Sequence, residues 1–403
     1  MNIAYVTADA DAPVFGSRGC SVHIQETLRA ILRKGDMVDL FAGGYGGPIN
    51  AEFSSLRMFS VAPARAATPA DVERAAIAAN STLREVLSNR HFEQPFSFVY
   101  ERYSLWSHTG MEFAREKDIP GILEVNAPLL DEVNRRHLLI HRAAAEDATM
   151  RAFRAATVIV VGSQQLAHIV QQHPSASDKV RIIPNGVDPQ RFGDVVPTIP
   201  RKEGEFVIGF TGELRPWQGL SSLISAFALV VDALPHCRLL LVGDGPDREA
   251  LEREVAAKGL RDVVRFVGAV PPHAVPGFLA SMDVAVAPYP HLAGFYASPL
   301  KIFEYMAAGL PIVASRIGQV REVLTHGCTG ILVTPGNREE LAETLYTLEQ
   351  DPAKRAEMGA AARVQAAMSH GWDETIGQIL GLATETSLFE KNPNRSQHRF
   401  AGT

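Results

Sequence analysis

Each half of this chain opens with the same three-part phrase: a short apolar run, a glycine-bearing loop and an amphipathic segment. In the first half these are residues 3–7, a loop through Gly16 and Gly19, and a helix expected over 21–34. In the second they are residues 206–210, the loop 211–219 and a helix expected over 220–234. An apolar run without polar alternation is a strand covered on both faces, and such strands belong to parallel sheets flanked by helices. Further short runs of this kind lie at 38–41, 98–100, 121–125, 158–161, 238–242, 263–266, 284–287 and 312–314. Helical periods separate most of them. The alternation predicts an α/β fold of two Rossmann-like domains, and 403 residues suit two domains.

The expected division runs 1–187 for a first domain and 206–371 for a second. The stretch 188–205 between them is rich in Pro and Gly, lacks periodicity and reads as a linker. A final helix is expected over 372–389 and a polar tail over 390–403. Hydrophobic residues make up 46% and charged residues 21%, which supports full cores and excludes disorder. A net charge of −6 argues against a dedicated nucleic-acid binder. Cys20, Cys237 and Cys328 are scattered without metal-ligand spacing, which fits a reducing compartment. The first residues lack a basic lead, and no apolar stretch approaches the ~20 residues of a membrane span. A cytoplasmic protein is expected. The Arg- and His-rich segment 135–154, expected as one helix, reads most simply as a solvated face. Its functional reading is peripheral contact with an anionic acceptor or the inner membrane surface.

The segment 298–315 carries the most chemistry. Ser298 reads as an N-cap with Pro299 at the first helical position, Gly309 as the stop, and Leu310-Pro311 as the lead into a strand. Amides at the helix start, at Leu300 and Lys301, suit a phosphate, and Lys301 adds positive charge. Glu304, one turn on, can accept two hydrogen bonds from a vicinal diol such as a ribose. Diphosphate beside ribose is a nucleotide. The plain alternative is an ordinary capped helix with a surface Glu and Lys.

The string Ser298-Pro-Leu-Lys-Ile-Phe-Glu304-Tyr resembles the donor-site signature of retaining glycosyltransferases of family 4, in a Ser-Pro-x-Lys-x-Phe-Glu-Tyr branch. Ile183-Pro-Asn-Gly-Val-Asp188 resembles the element that this family places between its domains. The resemblance spans nearly the whole chain and implies the GT-B fold: two Rossmann-like domains with a cleft between them and a C-terminal helix crossing back. It implies transfer of a sugar from a nucleotide-diphosphate donor, UDP ahead of GDP, to an acceptor hydroxyl. Retention of configuration and no metal or other cofactor are implied too. The acceptor is expected to be a small molecule, glycan or glycolipid bound by the N-terminal domain. The carry-over sets Glu304 on the ribose and Ser298, Leu300 and Lys301 on the phosphates. Most relatives have a Glu where this chain has Tyr296, near the sugar. In the loop 211–219 the usual Arg and Lys positions are Glu213 and Gln218, so Arg215 is the loop's cation and, with Lys301, the expected counter-charge.

Other candidates lie at predicted strand ends. Gly16 and Gly19 would let the first loop approach the donor, with Arg18 and His23 beside it on the acceptor side. Arg102, His108, Glu124 and Asn126 are further acceptor-side candidates. Asn126 falls near a position where many relatives carry a catalytic-region His. An internal salt bridge is the competing reading for Arg102 and Glu124. Gly243, Gly245 and Val267 are expected beside the nucleoside. Three other readings stay open: a sugar phosphorylase, a nucleotide-sugar epimerase, or a non-catalytic nucleotide-binding partner subunit.

Overall fold

The computed structural model describes residues 1–135, 139–200 and 202–391, apart from the side chains of 134, 135 and 386–391. The chain divides into two units. Unit 1 holds Met1–Gly16, Cys20–Pro184 and the chain from Asp373 onward; unit 2 holds Asn185–Trp372 with Ser17–Gly19.

Unit 1 is built on seven strands: β1 (Asn2–Thr7), β2 (Met37–Ala42), β3 (Arg57–Ser60), β4 (Phe98–Arg102), β5 (Gly121–Val125), β6 (Val158–Val161) and β7 (Val180–Ile182). They pair in the order β3-β2-β1-β4-β5-β6-β7. Unit 2 has six: β8 (Phe206–Thr211), β9 (Cys237–Val242), β10 (Val264–Gly268), β11 (Val284–Ala287), β12 (Ile312–Ser315) and β13 (Ile331–Val333). Their order is β10-β9-β8-β11-β12-β13. All these pairings are parallel, so the sheets are the two doubly wound ones that the alternation predicts. In each, the chain winds outward in both directions from its first strand. The order reverses between β1 and β4, and between β8 and β11. Beyond the carboxyl ends of such strands, loops part and leave room for a ligand.

Both faces of unit 2's sheet are covered. Leu239 and Leu241 of β9 join one apolar cluster with Ile208, Phe210, Val284 and Val286, while Leu240 and Val242 join another with Val207, Ala285 and Ala287. Period-two alternation with no polar side explains why these strands read as continuous apolar runs. Each fully buried Leu, Val or Phe contributes about 1.5–3 kcal/mol.

The three strands missing from the sequence expectation, β3, β7 and β13, are all sheet edges of three or four residues. The side chains of β3 are half-buried or exposed, and in β7 only Val180 is buried, so no apolar run marks either strand. Two other expectations change. The stretch 188–205 is woven into unit 2: Phe192 is buried in its core, Thr198 N donates to Gly277 O at 2.8 Å, and Arg191 donates to Pro272 O at 2.9 Å. In the basic segment 135–154, Arg135 ends the helix Leu129–Arg135, residues 136–138 lie outside the described residues, and a second helix runs Arg142–Ala155. Arg142 pairs with Glu146 at 2.8 Å and Arg151 with Glu112 at 2.9 Å, so acids compensate the charge of that face. The terminal helix, Trp372–Lys391, packs within unit 1 from Asp373 on: Asp373 meets Arg33 at 2.7 Å. Most of the expected tail, 392–403, lies outside the described residues. Among the described residues no helix is long and apolar enough to cross a membrane.

One buried carboxyl anchors the end of β4. Glu101 is fully buried, takes the Met111 amide at 3.1 Å at the start of helix Thr109–Glu116, and accepts from the Ser107 hydroxyl. Burial pushes its pKa from 4.5 up to about 7, against those two hydrogen bonds. Below the unfolded value both states hold the proton and its contribution is complete. As pH rises through the folded value the native state must ionise a buried acid, and a contribution on the order of 3 kcal/mol is lost. Urea unfolding at about pH 5 and about pH 8 should show the wild type losing that much more stability than Glu101→Gln. Equal pH dependence in both proteins would refute the assignment.

Candidate active site

The site in unit 2 forms where β8 and β11 diverge. After β8 the chain turns through Gly212, runs to Arg215, makes a tight turn at Pro216–Gln218 and enters helix Leu220–Ala233 through Gly219. After β11 a loop through Tyr296 leads to helix Leu300–Ala307. Tyr305 ties the two together: its hydroxyl accepts from the Thr211 amide at 2.8 Å. Gly309, with φ +70°, ends the helix, and Arg363 donates to the carbonyls of Ala307 and Ala308, each at 3.2 Å.

Lys301 reaches the β8 loop. Its ammonium lies 3.9 Å from the Phe210 ring centre and 5.8 Å from that of Tyr289, and donates to Gln218 Oε1 at 2.6 Å. Trp217 stacks on Tyr289 with ring centres 6.3 Å apart. Desolvation by these neighbours drives the Lys301 pKa down to about 7, and Glu304 only partly opposes it. Glu304 lies on the same helix, half-buried. Gln218 entered the sequence reading only as the position where the family usually has a Lys; Phe210 and Tyr289 were not singled out, and Tyr305 only closed the quoted string. Their only signal there was position, at strand ends and on the helix, because aromatic residues at such places ordinarily mean core.

Ser298 does not cap this helix. Pro299 holds the cap position with no side-chain hydrogen bond. Proline at that point has extended backbone and carries the serine one residue too far back. The Ser298 Oγ is shut from solvent without a partner, while its carbonyl accepts from Asn185 Nδ2 at 3.3 Å. The first amides, Leu300 and Lys301, lack intrahelical partners, as in any helix. Arg215 is 41% exposed in its side chain and pairs with Glu213 at 2.7 Å, which raises its pKa. The loop's cation is therefore neutralised by its own neighbour. Tyr296 is half-buried in the loop before the helix.

Gly243 and Gly245 follow β9 and lie against the β8 loop. A Cβ on Gly243, at φ +140°, would fall 1.9 Å from the Gly212 carbonyl oxygen, and one on Gly245 would fall 2.3 Å from that of Leu214. Two loops this close leave no room for a side chain, which is the reason for glycine here. Val267, in β10, packs half-buried against the unit 2 core.

In unit 1 the candidates separate into two groups. His23, Arg102 and Glu124 form one string: Arg102 Nη1 lies 3.4 Å from His23 Nδ1, and His23 Nε2 lies 3.2 Å from Glu124 Oε1. Arginine can only donate, so Nδ1 accepts and Nε2–H faces the carboxylate. Burial alone would raise the Glu124 pKa; His23, helped by Arg102, outweighs it and holds the carboxyl below its ordinary value. The competing salt-bridge reading thus holds in altered form, with His23 between the two charges. His23 and Glu124 are 4% and 7% exposed in their side chains, so this string is internal. Asn126 follows β5, half-buried, with a sequestered Nδ2 that lacks a partner. His108 stands apart from this string. It bonds Glu112 at 3.1 Å, its backbone amide bonds Asn80, and desolvation lowers its pKa, so it is a packing residue at a helix start.

The first loop is partly as expected. Gln25 holds the Gly16 carbonyl at 2.9 Å, and a Cβ on Gly16 would fall 2.6 Å from Ser21 Oγ. Gly19 has open space around it, with no protein atom within 4 Å of where a Cβ would lie. Arg18 is exposed. Among the described residues no group of three or more His, Cys, Asp or Glu is arranged to hold a metal.

Comparison with known proteins gives each half its own match. The model for Glycosyltransferase Family 4 matches residues 17–191, and that for Glycosyl transferases group 1 matches residues 196–365. The 2-deoxystreptamine glucosyltransferase of Streptomyces kanamyceticus is 30% identical over 50% of this chain and 54% of its own, so the chain spans about half of that relative. The D-inositol 3-phosphate glycosyltransferase of Kribbella flavida is 25% identical over 96% of both chains. Among solved structures, the sucrose-phosphate synthase of Thermosynechococcus elongatus superimposes with a TM-score of 0.75 at 19% identity, covering 97% of this chain and 99% of that one. HepE of Anabaena in complex with UDP-glucose gives 0.69 at 21%, covering 96% and 100%.

The packing around Gly243 yields a paired prediction. Gly243→Ala should lower stability by about 2–3 kcal/mol or more, because backbone must move. Gly19→Ala should stay within about 0.5 kcal/mol of wild type. Thermal unfolding of both checks this; a Gly243→Ala protein that melts like wild type would mean that the two loops are not in contact.

Proposed function

We propose that this chain, a GT-B glycosyltransferase of the family 4 and group 1 type, moves a sugar from a nucleotide-diphosphate donor to an acceptor hydroxyl with retention of configuration and without a metal. The carrying observation is Lys301: a half-desolvated ammonium, beside a glycine loop and at a helix start, is an incomplete arrangement that a diphosphate completes. The unpartnered Ser298 hydroxyl and the amides of Leu300 and Lys301 would add donors to the same anion. Arg215 would exchange Glu213 for phosphate as negative charge grows on the departing diphosphate. Glu304 would hold the ribose diol, and Tyr296 would face the sugar. Gly243, Gly245 and Val267 would border the nucleoside. No protein nucleophile is assigned; a donor phosphate oxygen takes the acceptor proton. HepE binds UDP-glucose, which makes UDP-sugars the first donors to try. The product would belong to polysaccharide, glycolipid or secondary-metabolite synthesis in the cytoplasm.

The purified chain should release UDP from UDP-glucose, or from another nucleotide sugar, in the presence of EDTA. Glu304→Gln should weaken donor binding by about 1.5–3 kcal/mol while melting like wild type. Activity that needs added magnesium, or a Glu304→Gln protein with full donor affinity, would overturn the corresponding part of the reading.

Lys301 gives the binding step a pH signature. With a free-state value of about 7, the amine is largely neutral above that pH, and an arriving diphosphate draws a proton onto it. Nucleotide binding near pH 8 should take up close to one proton, read from calorimetry in buffers of different ionisation enthalpy, and affinity should fall as pH rises. Lys301→Arg, charged throughout, should remove the uptake. Equal uptake in both proteins would place the titrating group elsewhere.

A further inference from the structure

Lys301 is held by a residue that contributes no charge. Gln218 ends the tight turn Pro216–Gln218, and both of its chain neighbours are packed in place. The Trp217 ring lies within 4° of parallel to that of Tyr289. Gly219, at φ +73°, comes so close to the exit of β11 that a Cβ there would fall 1.8 Å from the Pro288 carbonyl oxygen. The Gln218 amide closes the turn on the Arg215 carbonyl at 2.9 Å. The side chain is therefore aimed by a backbone with little freedom, and the residue is 3% exposed. An ammonium only donates, so the atom 2.6 Å from Lys301 Nζ is the side-chain carbonyl oxygen.

The other groups around the ammonium leave this contact the deciding one. Glu304, on the same helix, opposes the desolvation of Lys301 only in part. In the loop after β8, Glu213 and Arg215 pair with each other at 2.7 Å. After β9, Asp244 pairs with Arg248 at 3.0 Å. Burial pushes the phenols of Tyr289 and Tyr305 far up, so neither supplies an anion. Phe210 offers a ring face. A carboxylate in place of the Gln218 amide would neutralise the ammonium, and an apolar side chain would leave it without a hydrogen-bond acceptor. Glutamine does neither: it holds the group and leaves its charge unspent.

We propose that Gln218 is a positioning residue for the donor, a neutral acceptor that fixes the Lys301 ammonium at the diphosphate position without compensating it. The inference rests on the donor reading above. Both properties of the side chain are then necessary, its oxygen and its lack of charge.

Two substitutions separate these properties on the full chain. Gln218→Met keeps the length and removes the oxygen, while Gln218→Glu keeps an oxygen and adds charge. The Lys301 titration is followed without ligand by NMR of protein containing carbon-13-labelled lysine, its signal identified by its loss in Lys301→Arg. Relative to wild type it should move down by about one pH unit in Gln218→Met and up by about one to three in Gln218→Glu. UDP affinity at about pH 6, where the wild-type amine is largely charged, should fall about tenfold in each variant. Packing that was merely loosened would admit water and move the Gln218→Met titration up instead, toward the ordinary lysine value. Titration at one pH in all three proteins, an upward move in Gln218→Met, or wild-type UDP affinity in either variant overturns the proposal. Failure of the wild type to bind any nucleotide refutes the donor reading, and the donor role of Gln218 with it, whereas the ligand-free titrations judge the coupling of Gln218 to Lys301 on its own.

Discussion

An ammonium group that has lost part of its water has to be solvated by something else, and at the head of helix Leu300–Ala307 the replacements come from three places. Phe210 gives a ring face from the end of β8, Gln218 gives a carbonyl oxygen from the loop after it, and Tyr289 gives a second ring after β11. Only one of these is a full hydrogen-bond acceptor, and none is an anion. The result is a cation held in place but under-compensated. That condition explains both its depressed basicity and its suitability for a polyanion. The surrounding geometry follows from it: Gly212 lies so close to Lys301 Nζ that a Cβ there would fall 2.8 Å away. The β9 loop in turn presses on Gly212 through Gly243.

Unit 1 handles its charges in the opposite way. The Arg102, His23 and Glu124 string is closed upon itself, each charge or ring nitrogen spent on a neighbour. Tyr5 and Tyr100 stack beside it with ring centres 5.1 Å apart. Such a polar core fixes the ends of β4 and β5 without offering them to a ligand. A cavity between the loops after β1 and β4 is where this unit is open instead.

The sheets were legible because central parallel strands are apolar on both faces. β1 and β6, like β8, β9 and β11, announce themselves as apolar runs, and β4 and β5 do so up to the charged residues near their carboxyl ends. The edge strands β3 and β7 have one flank without a neighbour, carry mixed residues and gave no comparable mark, while β13 is apolar but only three residues long. At the site, Lys301 could be found because helix start and charge coincide in sequence. Its contact with Gln218 could not: 83 residues separate the two, and only the fold brings them together. Ser298 was misplaced for a local reason, the extended backbone that proline imposes before the helix begins. Glu101 stands beside Arg102, the residue named from sequence, and which of the two faces the interior depends on the strand's register.

The hydrogen bond from the Thr211 amide to the Tyr305 hydroxyl has a mechanical meaning. It rivets the end of a strand to the second turn of a helix that lies 94 residues further along the chain. A load applied to either segment passes to the other through one stiff link, with no compliant loop between them. A guest gripped by both therefore meets one rigid jaw, and little of its binding energy is dissipated in bringing the parts to rest.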